Sequence, residues 1–383
     1  MKRICILLAS TAFAGLSTAA LAEIKVGVTV SATGPAASLG ITERNVFDIV
    51  PRKIGDEDVT IILLDDGSDP TAAVRNARKF TNEDKVDLII GSSTTPGSIA
   101  VTQVAAETKT PMFAMGAGAA IVSPMDDTKK WVFKAVHNDG LMVEAIVQKM
   151  VAKGIKSVGY IGFADATGEG YLKALTPLLE KNGIKITATE TYARTDTSVA
   201  AQVLRIISGQ PDAVFIAAFG SPAALPQTTF AERGYKGQIY QTHGVANQDF
   251  LRLAGASAEG AILPVGPLLV ADQLGDDVPV KAEATKVWQA YGDKFGRETR
   301  NTFIANAYDA YMIFANAAPA ALKVAKPGAP EFRSALRDAI EATNGFAGSN
   351  GIYTLSPQDH VGLSLDSVQM ITVSEGRWKV LAK

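Results

Sequence analysis

The residues best placed to do chemistry in this chain are hydroxyls, glycines and one histidine, in short runs where apolar stretches end. The richest run is Gly91-Ser92-Ser93-Thr94-Thr95-Pro96. A helix is expected to start here, with Thr94 or Thr95 as its N-cap and a proline early in the first turn. Hydroxyls and unpaired N–H groups then meet at a positive helix end, which suits a carboxylate; the plainer reading is a well-capped helix alone. The run Met115-Gly116-Ala117-Gly118-Ala119-Ala120 either lets backbone approach a ligand closely or makes a tight turn. Phe163-Ala164-Asp165-Ala166-Thr167-Gly168, Ala218-Phe219-Gly220-Ser221 and Gln241-Thr242-His243-Gly244 complete the set. Phe219 offers an apolar wall. His243 is either a donor to a carboxylate in a cleft or a solvated loop histidine.

Several chemistries are absent from this pattern. No Gly-Lys-Ser/Thr follows the glycine-rich run, so it is not a P-loop, and no early GxGxxG follows the first strand. No cofactor is expected. Gly-x-Ser-x-Gly is missing, and Gly220-Ser221-Pro222 puts proline where a nucleophile elbow would continue, so an enzyme is not expected. His137, His243 and His360 are far apart in sequence, and no metal site is expected. The single cysteine, Cys5, lies in the N-terminal leader, which removes disulfides and thiol chemistry from the rest. The balance of 37 basic and 39 acidic residues, with no basic block, argues against a nucleic-acid partner.

That leader reads as an export signal over residues 1–22. Lys2 and Arg3 precede an apolar stretch that ends in Ala20-Leu21-Ala22, an A-x-A cleavage pattern. A membrane anchor is the other reading, but the stretch is rich in small and hydroxylated residues. Cleavage would leave Glu23 first and, with Lys2 and Arg3 gone, take the net charge from −2 to −4. A soluble periplasmic protein is therefore expected. About 360 residues bury a large core without disulfides and suggest two domains.

The elements that must position these runs alternate. Strands are expected at Ile24–Val30, Thr60–Asp66, Val86–Ile90 and Pro111–Met115, with helical spacing over 71–84. The pattern restarts with strands at Ser157–Gly162, Ile184–Tyr192, Ala213–Ala218 and Gln238–Tyr240. Helices stand between them at Tyr171–Asn182, Ser198–Ser208 and Pro222–Arg233. Near-continuous apolar strands joined by helices mean α/β architecture with doubly wound parallel sheets. Helices follow at Pro279–Phe295, Thr302–Val324 and Glu331–Thr343. A C-terminal hairpin joins Ser367–Val373 to Trp378–Leu381. Open α/β sheets bind ligands beyond the carboxyl ends of their strands, where the hydroxyl and glycine runs lie.

Several segments, in order, resemble the periplasmic leucine/isoleucine/valine-binding protein family, with its type I periplasmic binding fold. They are Ser31-Ala32-Thr33-Gly34-Pro35 with Leu39-Gly40, Asp65-Asp66-Gly67-Ser68-Asp69-Pro70, Gly91-Ser92-Ser93-Thr94, Thr167-Gly168-Glu169-Gly170, Gly244-Val245-Ala246-Asn247 and Ala307-Tyr308-Asp309-Ala310. The resemblance implies two lobes joined by three crossovers, near residues 138–141, 264–267 and 345–350. Lobe 1 would comprise 23–139 plus 266–346, and lobe 2 would comprise 140–265 plus 347–383. It implies capture of a small molecule by hinge closure and delivery to an ABC permease in the inner membrane, by a monomer. The family's first-lobe clamp falls on Ser92-Ser93-Thr94 and Gly116-Ala117-Gly118, its second-lobe aromatic on Phe219, and its first-turn aromatic on Leu39.

Two departures bear on the ligand. The acidic residue that pairs with a ligand's ammonium falls at His243, and a threonine of the clamp falls at Gly118. A histidine cannot neutralise a cation but can hydrogen-bond an anion or hydroxyl. A carboxylate without an α-ammonium is therefore expected, as an aromatic, phenylpropanoid or branched keto acid. Ser93 and Thr94 would hold it, with Leu39 and Phe219 against its body and Tyr308 as a lesser candidate there, and His243 and Asp165 closing from the second lobe. A branched-chain amino acid, or a sensor role feeding a separate membrane receptor, are the alternatives. Tyr308, Asp309 and Asn306 are expected to support the hinge side more than line the cleft, and Tyr160 and Tyr171 to be core or helix-surface residues.

Overall fold

The computed structural model describes residues 23–381; the expected export signal and Cys5 lie outside them. Ile24–Val30 (β1), Lys53–Ile54 (β2), Glu57–Asp65 (β3), Leu88–Ile90 (β4), Met112–Ala114 (β5) and Val132–Lys134 (β6) form a six-stranded sheet in the order β2-β3-β1-β4-β5-β6. Its pairings are parallel except for β2 on β3. The second sheet uses Ser157–Phe163 (β7), Lys185–Tyr192 (β8), Ala213–Ala217 (β9), Gln238–Gln241 (β10) and Ile262–Val265 (β11). After the small antiparallel pair Phe346–Ala347 (β12) and Ile352–Tyr353 (β13), Gln369–Ser374 (β14) and Arg377–Val380 (β15) complete it. Its order is β15-β14-β11-β10-β9-β7-β8, with β14 antiparallel to both neighbours. In β1 the side chains of Ile24, Val26, Val28 and Val30 are all excluded from solvent. These four alternate residues fill one face, and Gly27 and Thr29 are buried on the other, so the strand is covered on both sides.

Helices cover the sheets: Ala37–Val46 (α1), Pro70–Lys79 (α2), Thr95–Thr108 (α3), Asp139–Ala152 (α4), Ala166–Lys181 (α5), Ala200–Ser208 (α6), Ala224–Glu232 (α7) and Gln248–Ala254 (α8). Three more lie late in the chain at Lys281–Phe295 (α9), Phe303–Leu322 (α10) and Pro330–Glu341 (α11). Pro279 does not open α9 as the sequence suggested, because the helix begins two residues later behind Val280. In the first sheet the strand order reverses between β1 and β4, and in the second between β7 and β9. At each reversal two loops diverge beyond the strand ends and leave a crevice. Glycines let helices come down close to these crevices. A Cβ on Gly40 of α1 would stand 2.2 Å from the Ser31 carbonyl, and one on Gly168 of α5 would stand 2.0 Å from that of Phe163.

The chain passes between the sheets three times. It leaves β6 for the second sheet through α4 and returns after β11 through 266–273. Then α9–α11 bury Tyr308, Tyr311, Phe332 and Ile340 in the same core as β1. The third passage is later than the expected 345–350. Tyr353 and Leu355 still pack in the first-sheet core, Val361 joins its other face, and the His360 ring stacks 4.2 Å from Phe133. The chain crosses only over 364–368. The cause is a buried carboxylate on α10: Asp309 accepts from the Ser349 N–H (2.8 Å), the Asn350 N–H (2.7 Å) and the Tyr353 hydroxyl (2.9 Å), which ties this glycine-rich loop to the first lobe. Tyr308 is in the same support, its hydroxyl 3.2 Å from Glu283, and is not against the cleft. Among the described residues no helix is long and apolar enough to cross a membrane.

Candidate functional site

The carboxyl ends of the two sheets face each other across a narrow cavity with about 30 Å³ of free space. The first lobe supplies Ser93, Thr94 and Thr95 at the start of α3, Met115 and Ala117 after β5, and Leu39 from α1. The second supplies Thr167 and Tyr171 from α5, Ala218 and Phe219 after β9, and Thr242, His243 and Gly244 after β10. Phe303, at the start of α10, closes one end. The lobes touch around this space. Leu39 and Ala36 pack in one apolar cluster with Phe163, Phe219 and Phe303, and the Thr302 N–H reaches the Ala246 carbonyl at 3.3 Å.

Two helix N-termini, one from each lobe, end at the cavity. Thr94 caps α3, its hydroxyl accepting the Gly97 N–H at 3.2 Å with Pro96 in the first turn. Asp165 caps α5, accepting the Thr167 N–H at 2.7 Å. The Thr167 hydroxyl is buried with no hydrogen-bond partner among the described residues. Both ends present partial positive charge to the same space.

A family of sequences described as periplasmic binding proteins matches residues 23–370. The chain belongs to that family. It is similar to an extracellular ligand-binding receptor from Rhodopseudomonas palustris HaA2, 46% identical, with a TM-score of 0.91 over 94% of this chain and 100% of that one. It is also similar to the Leu/Ile/Val-binding protein homolog 3 of Brucella melitensis, 24% identical over 274 residues, which are 67% of this chain and 72% of that protein. A solute-binding protein of an R. palustris ABC transporter, solved in complex with benzoate, shares the fold at 20% identity with a TM-score of 0.79. The match covers 94% of this chain and 95% of that one.

In this periplasmic binding protein, Leu39, Ser93, Thr94, Ala117, Phe219 and His243 of the sequence-derived set come together at the cavity. Four others stand behind it. The Ser92 hydroxyl turns inward and donates to Asp66 at 2.7 Å. Gly116 and Gly118 lie against the start of α3, the Gly118 N–H donating to the Thr95 hydroxyl at 3.1 Å. Asp165 does not face the cavity, because its carboxylate is used twice already, as the cap of α5 and as the partner of Arg194 Nε at 2.7 Å. Arg194 in turn lies over the Phe219 ring, 4.7 Å from its centre, and Phe163 meets that ring edge-on at 5.0 Å. Asp165 thus acts on the cavity wall through Arg194.

Tyr171 packs in the second-lobe core as expected, but it also lines the cavity, which sequence reasoning missed. Its hydroxyl lies 3.3 Å from His243 Nδ1, and both side chains line the cavity. Helical spacing from Thr167 is the signal that was available, since i and i+4 share a face. Burial, reinforced by Lys134, pushes the His243 imidazole down to about 4, so it is neutral at pH 7. Lys134 itself is fully buried beneath the first-lobe wall. Its ammonium donates to the Ala117 carbonyl and to Asn138 Oδ1, both at 2.5 Å, and to the Gly118 carbonyl at 3.3 Å. Burial pushes it down to about 7, against the pull of Asp139 and Asp359. Among the described residues no Asp, Glu, Lys or Arg lines the cavity.

Proposed function

We propose that this protein captures a small organic carboxylate in the periplasm and hands it to the membrane permease of an ABC importer. The observation that carries the ligand class is the lining of the cavity. It has hydroxyls, two positive helix ends and a neutral histidine, and no side-chain anion to meet an ammonium group. Carboxylate oxygens would accept from Ser93, Thr94, Thr95 and adjacent N–H groups. With the Tyr171 hydroxyl donating to Nδ1, His243 carries its proton on Nε2 and donates it to the ligand. Buried Lys134 adds positive potential behind this wall without touching the ligand. Leu39, Met115, Phe219 and Phe303 pack against an apolar or aromatic body. The R. palustris transport protein solved with benzoate shows that this fold can hold an ammonium-free carboxylate.

The role is capture without bond breaking. Closure of the lobes about the three passages would bring His243 and Thr167 onto a ligand first held by α3. A second reading, an amino acid, is favoured by the name of the Brucella relative. Titration calorimetry with benzoate, 3-phenylpropanoate, 4-methyl-2-oxopentanoate and leucine separates the two. The expected result is binding of at least one ammonium-free acid. Tight binding of leucine with no response to any of the three acids would overturn the carboxylate reading. Mass spectrometry of the ligand released on denaturing the purified protein is an independent check.

A further inference from the structure

The hydrogen bonds of Ser93, the first-lobe hydroxyl at the cavity, can be counted. The Ser31 N–H donates to its oxygen at 3.0 Å. The Glu43 carboxyl, one turn beyond Leu39 on α1, is within hydrogen-bond distance of the same oxygen. Glu43 is completely buried, its other oxygen has no hydrogen-bond partner among the described residues, and none of their ion pairs includes it. The charged group that faces it is Asp66, beyond β3. Asp66 accepts from the hydroxyls of Ser31 and Ser92, both at 2.7 Å, from the Thr29 hydroxyl and from the Ser68 N–H. The late helical segments packed on α1 bring neutral groups, Asn301 to Thr42 and the Tyr291 hydroxyl to Asn45. A carboxylate at 43 would have one hydrogen bond, a like charge nearby and no counterion. Burial, with Asp66 adding and the Ser93 bond opposing, pushes Glu43 up to about 8.

We infer that Glu43 is a positioning residue that gives its carboxyl proton to the Ser93 oxygen, so that the Ser93 O–H is turned into the cavity as a donor for an anion. The inference rests on the carboxylate reading above. A serine oxygen accepts two hydrogen bonds and donates one. With Ser31 and Glu43 filling the two lone pairs, the proton is free for the ligand. Ionised Glu43 reverses this: Ser93 donates backward, and a negative charge stands behind the site. Anion binding above pH 8 then takes up a proton at Glu43. Lys134 loses its proton in the same range and also weakens anion binding, so only a difference between variants at position 43 isolates this step.

The test is calorimetry on the chain from Glu23 onward with benzoate and 3-phenylpropanoate, from about pH 6.5 to 9.5. At pH 6.5, E43A should weaken binding about tenfold, and E43Q, whose amide is a permanent N–H donor, should recover most of that loss. Above pH 8, wild-type affinity should fall more steeply than that of E43Q, by up to about tenfold per pH unit. Infrared difference spectra between pH 7.5 and 9.5 should show a protonated carboxyl band that E43Q lacks. Equal slopes in wild type and E43Q would overturn the proposal and leave the carboxylate reading standing. Should E43Q fail to fold, absence of that band from the wild type would overturn the proposal by itself. Leucine binding that tightens with rising pH, with neither acid binding, would overturn both, because the ligand would then meet the charge of Glu43 and not its proton.

Discussion

The two walls of the cleft are built from different materials. The first-lobe wall is a hydrogen-bonded fabric. Ser31, Ser92, Ser93 and Thr29 are tied to the buried carboxyls of Asp66 and Glu43, and the same bonds hold the loops after β1, β3 and β4 together. The second-lobe wall is an aromatic bracket, with Phe219 held between Arg194 and Phe163 and Tyr171 set against His243. The first wall therefore shares its bonds with the fold, whereas the second presents side chains that can change without unstitching a sheet. Substitutions in the first should move stability, and substitutions in the second should move ligand choice.

The largest expected effect tests the first half of that contrast. Asp66→Ala leaves the Ser31 and Ser92 hydroxyls and the Ser68 N–H without their acceptor. Chemical denaturation should show a loss of about 3–5 kcal/mol, at roughly 1–3 kcal/mol per stranded buried group with partial relaxation. A loss below about 1 kcal/mol would mean that this wall is not part of the fold's framework.

The second half is tested by His243→Asp, which puts an acidic side chain where the resemblance to the leucine/isoleucine/valine-binding family implies one. Affinity for an aromatic carboxylate should fall about a hundredfold or more, since a like charge beside the ligand costs several kcal/mol. Calorimetry reads the loss, and thermal unfolding should change far less than in Asp66→Ala. Unchanged affinity would remove His243 from the ligand's contacts.

Gly118→Thr sharpens the comparison, because it adds on the first wall the threonine that the resemblance implies at this clamp position. A Cβ at 118 would stand 2.4 Å from Thr95 Cγ2. Thr95 must then turn, and the hydroxyl that accepts from the 118 N–H moves with it. A destabilisation of about 1–3 kcal/mol is expected from this overpacking, measured by urea titration.

The smallest effect is on the bracket. Arg194→Gln removes the cation over Phe219 and one partner of Asp165. The ring loses about 0.5–1 kcal/mol of restraint, and ligand dissociation constants should rise about threefold to fivefold with little change in unfolding. An affinity loss as large as that of Phe219→Ala would mean that Arg194 touches the ligand directly.

Much of the scaffold was legible because its signals are local. Ala213–Ala217 is an apolar run of the kind a doubly covered strand gives, Ile24–Val30 is a short strand rich in Val and Ile, and Thr94 with Pro96 announces the start of α3. The short strand Val132–Lys134 was not legible, since its lysine looks like a surface residue and in fact lies buried beneath the cavity wall. The third passage was misplaced for a related reason. Gly345 to Gly351 reads as a linker, and nothing nearby in sequence shows that Asp309, about forty residues earlier, holds it to the first lobe.

By itself the sequence determined the alternation of strands and helices and a capped helix start at Thr94 or Thr95, whereas the cap at Asp165 emerged only from the fold. The first two depend on neighbours within a few residues. Tertiary structure alone decided that Asp165 braces Phe219 through Arg194, that Tyr171 reaches His243, and that Glu43 stands behind Ser93. Each of these depends on a direction in space between residues far apart in the chain. Burial, which sets whether Glu43, Lys134 and His243 carry charge, exists only once the two lobes have folded around them.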